Sequence, residues 1–162
     1  MFRDLQQPEY LHVLLNHVPI TGLAIAVCGL ATALLSRSRR AIVCSLTMIA
    51  VCSAAIWPVY LTGKASYRTI RKIADDRGTD WLDEHLERAD SWAIAYAAVF
   101  CFSTAGILVP IRWKKLQIPL AIATLVVAIG GLAAGAYIAE AGGKVRHPEF
   151  RGGEKGGQST SS

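Results

Sequence analysis

Four long apolar runs constrain this chain more than any other feature. They span Leu11 to Leu35, Ala41 to Leu61, Trp92 to Ile111 and Ile118 to Ile138. Each is close to the ~20 residues that a helix needs to cross a hydrocarbon core of ~30 Å. No Asp, Glu, Lys or Arg interrupts any of them. In lipid every backbone N–H and C=O must be paired within its own segment, so such runs are predicted to be helices. Fitting four of them inside a soluble core of 162 residues is implausible. Charged residues are only 18% of the chain and hydrophobic ones 52%, which also excludes an intrinsically disordered protein. The expected fold is therefore all-α: an integral membrane four-helix bundle over residues 1–150, with a disordered tail at 151–162.

The start, MFRDLQQPEY, lacks a basic n-region, and no convincing small-x-small cleavage site follows. The first span is expected to stay in the mature protein. The four cysteines, Cys28, Cys44, Cys52 and Cys101, all sit within apolar runs and read as small buried hydrophobes. No Cys-x-x-Cys-His occurs, so covalent haem attachment is excluded, and zinc-ribbon spacing is absent. The net charge of +5 comes with no nucleic-acid motif.

Charge instead reports topology. The loop between spans one and two holds Arg37, Arg39 and Arg40 without an acid, and the loop between spans three and four holds Arg112, Lys114 and Lys115. Short basic loops stay cytoplasmic. Both termini and the middle loop are then expected outside, in the periplasm of a bacterial inner membrane. The middle segment is not expected to be loose. Tyr67, Ile70, Ile73 and Ala74 recur at helical spacing, and so do Trp81, His85, Arg88 and Trp92. Spans two and three are predicted to continue outward as a helical hairpin of about 20 Å, with its tip near Gly78 and an N-cap at Thr79 or Asp80. No internal repeat is visible in the residues.

The chemistry rests on four histidines: His12, His17, His85 and His147. With the topology above, all four fall at the outer membrane face and on three different helices. Isolated interfacial histidines are often ordinary polar residues, but a set gathered at one depth points to a site. Imidazole is the commonest metal-ligating side chain, and four of them with no carboxylate in the spans suit two b-type haems, each held by two axial histidines. Copper or zinc suits imidazole as well. His12 and His17, five residues apart, point ~140° apart on a helix and are expected to serve different irons. Pro19 can alter that angle. Gly63, Gly142 and Gly143 would leave room for a flat macrocycle. Lys64, Arg68, Arg88 and Arg146, with Arg71 and Lys144, are candidate partners for propionates. Trp57, Trp81, Trp92 and Tyr60 suit an aromatic belt. Gly131 and Gly135 form a Gly-x-x-x-Gly that fits either internal packing or a homodimer face. No nucleophile–base constellation is visible, so an enzyme with its own substrate is not indicated.

The stretch from Leu11 to Ile20, LHVLLNHVPI, resembles the start of a bacterial family of small four-span membrane proteins long labelled a domain of unknown function. Its pattern is close to Leu-His-Pro-x-x-x-His-Phe-Pro-Ile. The resemblance extends over about residues 10–150 and includes His85 and His147, with Gly142 and Gly143 upstream of the latter. It departs at Val13, where the family often has Pro, and at Val18, often Phe. The resemblance implies a minimal di-haem cytochrome b and supplies no reaction. Three functions follow as expectations. One is an electron-transfer cytochrome at the periplasmic face, fed by a quinol or by a soluble carrier such as a cytochrome c that docks on Asp75, Asp76, Asp80, Asp83 and Glu84. Another is a copper- or zinc-binding membrane protein. The third is a cofactor-free subunit of a respiratory complex. The inner half offers Met48 as its only alternative axial ligand, so electron transfer is expected to stay at the outer face.

Overall fold

The computed structural model describes residues 7–151. The expected disorder of the tail falls outside these residues, apart from Arg151. Among the described residues there are four long helical rods and no strand, and all four rods are long and apolar enough to cross a membrane: Pro8–Leu35, Arg39–Ile73, Asp76–Arg112 and Lys114–Arg146.

Two rods are interrupted where the sequence places proline. The first consists of α1 (Pro8–Leu15), one turn of π-helix (Val18–Gly22) and α2 (Leu23–Leu35). Pro19 has no N–H to give to the preceding turn, and the wide turn absorbs the defect. The second rod consists of α3 (Arg39–Ala54) and α4 (Ile56–Ile73), broken at Ala55 ahead of Pro58. The third is the unbroken α5 (Asp76–Arg112), and the fourth is α6 (Gln117–Arg146), entered through a 3₁₀ turn at Lys114–Leu116.

The hairpin between α4 and α5 turns at Ala74–Asp75, three residues before the expected tip. The reason is a better cap. The Asp75 carboxylate accepts the Gly78 N–H at 2.8 Å, so α5 already starts at Asp76. Gly78 is then needed for closeness rather than for ending a helix: a Cβ there would lie 2.9 Å from the Val145 carbonyl oxygen.

The half of the bundle towards the two basic loops is close-packed around Leu23, Leu30, Ile42, Leu46, Ile49, Tyr96 and Val99, each 0–1% exposed. Large apolar residues on the outside, among them Ile25, Val51, Ile94, Leu108, Ile122 and Val126, stay exposed, as a lipid-facing surface requires. Gly131 and Gly135 face inward: a Cβ on Gly131 would strike Val99, and one on Gly135 would strike the Tyr96 hydroxyl. Of the two uses open to this motif, it serves internal packing here.

The two halves of the chain share a burial register. One constant step in residue number takes His12 to His85, and the buried Leu23, Ala26, Leu30 and Ala33 to the buried Tyr96, Val99, Ser103 and Gly106. A second step takes Ile42, Ser45, Ile49, Cys52 and Ser66 to Ala121, Thr124, Ala128, Gly131 and Val145, all buried. The repeat lies mostly in burial; identities such as His12 with His85 and Gly63 with Gly142 recur, but they are too few for the sequence to display it.

Candidate functional site

At the end of the bundle opposite the two basic loops, the rods separate into two pairs. There α1 packs on α4, and α5 on α6. Each pair carries one histidine, and each histidine is held in the same way. His12 Nδ1 lies 2.9 Å from the Val59 carbonyl oxygen on α4. His85 Nδ1 lies 2.9 Å from the Ile138 carbonyl oxygen on α6. A carbonyl only accepts, so in both rings Nδ1 carries a proton, and Nε2 is the nitrogen left to meet a ligand.

One helical turn beyond each carbonyl stands a glycine. A Cβ on Gly63 would lie 2.9 Å from His12 Cε1 and 3.0 Å from Nδ1, but 3.7 Å from Nε2. A Cβ on Gly142 would lie 3.0 Å from His85 Cε1 and 3.1 Å from Nδ1, but 3.6 Å from Nε2. The missing side chains therefore make room for the imidazoles themselves rather than for a macrocycle, and both rings turn Nε2 away from the supporting helix. A Cβ on Gly143 would reach only Phe150, at 4.0 Å, so this glycine has no part in the arrangement.

The two imidazoles face each other across a cleft. Their ring centres are 6.3 Å apart and their planes are 79° from parallel. The cleft is partly open, with a cavity volume of about 140 Å³. Its walls are mainly apolar, with Ile56, Val59, Ile70, Leu82, Leu86 and Ile138 among them. Among the described residues it offers two imidazoles and no carboxylate or thiol.

The other two histidines are elsewhere. His17 lies beyond the end of α1 and is exposed. His147 follows α6, is exposed, bonds Glu149 at 2.9 Å and stacks on Phe150 with ring centres 4.9 Å apart. Sequence spacing foresaw that His12 and His17 diverge. It did not tell which histidine meets which.

The cations expected near the site are mostly engaged. Lys64 lines the cleft, pairs with Asp90 at 3.1 Å and lies over the Tyr60 ring. Arg88 does not line it. Its guanidinium bonds Glu84 at 2.7 Å, Glu140 at 3.1 Å and the Tyr137 carbonyl at 2.8 Å, and sits over the Tyr137 ring. Arg71 pairs with Asp83, and Lys144 pairs with Glu140 and lies over Trp81. Arg68 and Arg146 are exposed. The acids proposed for docking are partly neutralised in the same way: Asp75, Asp83 and Glu84 each hold an arginine.

Residue spacing did not single out Asn16, Tyr96 or the two carbonyls. Asn16 stands one turn after His12 on the same helix face, the one clue available in the sequence. Comparison with known protein families, with curated proteins and with solved structures returned no match.

Proposed function

We propose that this chain is a membrane-bound b-type cytochrome that transfers electrons at the end of the bundle where His12 and His85 meet. The observation that carries the reading is the pair itself: two imidazoles with protonated Nδ1 anchored on carbonyls and ring centres 6.3 Å apart. The donor set fits haem, since a porphyrin supplies four nitrogens and asks the protein for two axial ligands. A bare copper or zinc ion would need further ligands from the cleft wall, where no thiol or carboxylate stands among the described residues.

Haem bound there supplies a one-electron couple. The rest is done by the chain. The carbonyls of Val59 and Ile138 fix the tautomers and raise the basicity of Nε2. Gly63 and Gly142 let the rings lie against the helices. The apolar walls exclude water, which sets the local dielectric and hence the potential. Lys64 is the cation best placed to meet a propionate, because it lines the cleft.

The cleft pair accounts for one haem per chain. A second haem on His17 and His147 requires ligands from beyond the contacts described here, and a pairing across two copies of the chain would supply them. The basic loops at Arg37, Arg39 and Arg40 and at Arg112, Lys114 and Lys115 support an inner-membrane orientation with the cleft and both termini periplasmic. A quinol or a soluble cytochrome c is the expected exchange partner. The resemblance of LHVLLNHVPI to the four-span family agrees with this reading.

The test is spectroscopic. Protein purified in detergent should show the sharp low-spin bands of bis-imidazole haem in oxidised and reduced spectra, with at least one haem per chain by pyridine haemochrome. A colourless protein would reject the reading.

A further inference from the structure

Among the described residues, two polar groups in the cleft have no hydrogen-bond partner. Tyr96 is 0% exposed, and its hydroxyl makes no hydrogen bond. The Asn16 side-chain carbonyl is likewise buried and unbonded. Both residues line the same cleft as His12 and His85. Both lie deeper than the imidazoles: Asn16 is one turn past His12, and Gly135, against which the Tyr96 hydroxyl sits, is one turn inward of Ile138. An orphaned polar group in a buried apolar setting is costly, and natural proteins rarely leave two together without an occupant.

The chemistry of the pair defines that occupant. The phenol O–H can donate, and the Asn16 carbonyl can only accept. A ligand hydroxyl can meet either group, accepting from the phenol or donating to the Asn16 carbonyl. The surrounding wall of Pro19, Ile20, Ile56 and Ile138 is apolar. Among the described residues the α4–α5 side of the cleft is tied by Tyr60 and Lys64 to Asp90 and by Tyr67 and Arg71 to Asp83. No side-chain hydrogen bond or ion pair among them joins α1 to α6. The untied seam therefore lies between α1 and α6, on the lipid-facing flank of a bundle read as membrane-embedded.

We infer that the inner end of the cleft binds the hydroxyl of a lipid-soluble hydroquinone, which enters between α1 and α6 and hydrogen-bonds to Tyr96 and Asn16. The inference names the class of electron donor for the redox site and rests on that reading for its chemistry, though not for the binding itself. An ordered water satisfies the same two groups, and the experiment separates the two sources.

The full chain in detergent is titrated with a heptyl-hydroxyquinoline N-oxide, a fluorescent quinol analogue. Saturable quenching at one site per chain is expected. Tyr96→Phe, which keeps the ring and removes the hydroxyl, should weaken binding by about tenfold, as should Asn16→Leu, each losing one hydrogen bond. Absorption spectra of the same samples should show the haem content unchanged in both variants. Absence of saturable quenching in a haem-loaded wild type means that water alone occupies the site and overturns the inference while leaving the cytochrome intact. Binding that both variants leave unaltered overturns it too. Tyr96-dependent binding to a colourless protein upholds the site and rejects the haem reading.

Discussion

His12 and His85 are held by the same device on very different supports. Each gives Nδ1–H to a carbonyl and lies against a glycine one turn further along the neighbouring helix. His85, however, sits within the 37-residue α5, which starts at an Asp75 cap and is locked to α6 by Arg88. His12 sits on α1, eight residues long, with no buried residue and with a π-turn at its inner end. The two jaws of the cleft therefore differ in support, and under the haem reading proposed above any reorganisation on binding is expected on the short helix.

The largest effect expected is loss of the site altogether. His12→Ala and His85→Ala should each abolish the cleft haem's bis-imidazole spectrum, because either change leaves one ligand there. His17→Ala and His147→Ala should leave the cleft haem in place. Haem content and low-spin bands across these four variants check this. Loss of the cleft spectrum on removing His17 would break the comparison at its root.

The glycines come next and sharpen the contrast. Adding a methyl at Gly63 or Gly142 forces an imidazole to move, since the new Cβ would lie 2.9 Å or 3.0 Å from the ring. Overpacking of this kind costs about 1–3 kcal/mol. The short α1 can yield, whereas α5 is pinned. Gly142→Ala should therefore lower haem affinity more than Gly63→Ala, despite near-equal contact distances. Equal losses in a haem-transfer titration would mean that the two supports are equally stiff.

Arg88 gives a smaller effect by another route. Arg88→Gln removes the ties to Glu84, Glu140 and the Tyr137 carbonyl without touching the cleft. The expected result is a second jaw as loose as the first: a fall in Tm of about 2–4 °C, and a difference between the two glycine variants that shrinks in this background. An undiminished difference would assign the stiffness of α5 to its packing alone.

Much of this was legible before any coordinates. Four uncharged apolar runs dictate four long helices, because unpaired backbone is intolerable in lipid. The periodicity of Tyr67, Ile70 and Ile73 carried α4 beyond the apolar run, as found. The tip was misplaced because Gly78 looks like a helix terminator, whereas Asp75 three residues earlier is the stronger signal once its carboxylate is seen on the Gly78 N–H. The histidines were visible as a set, but their pairing was not. It depends on which helices separate at one end of the bundle, and that follows from side chains such as Tyr96 packing on Gly135, a contact between residues far apart in sequence. The repeat was hidden for a related reason: burial constrains size and polarity only loosely, so Leu30 and Ser103 fill equivalent places without resembling each other.

The smallest expected effect is at the rim of the α5–α6 jaw. Arg151 bonds Asp75 at 2.6 Å and the carbonyls of Lys144 and Val145 at 2.7 Å each, which fastens the segment after α6 to the hairpin turn. The guanidinium, and then the Gly78 N–H, hold the Asp75 carboxyl below its ordinary value of 3.8. A carboxylate with a depressed native pKa adds stability that is fully present above the ordinary carboxylate range and is lost as pH falls through the depressed native value. The clasp should therefore be closed at neutral pH and open only in acid, below the pH at which a free aspartate titrates. Asp75 is more than half exposed, so screening keeps the contribution small. Limited proteolysis after Arg151 should be slow at pH 6 and faster in acid for the wild type. Asp75→Asn should be cleaved faster than the wild type at pH 6 and show little further change on acidification. The haem spectrum should stay unchanged throughout, since neither residue lines the cleft between the two imidazoles. A variant whose cleavage still accelerates in acid as the wild type does would move the pH sensitivity to another group, with Glu149 on the same segment the next candidate.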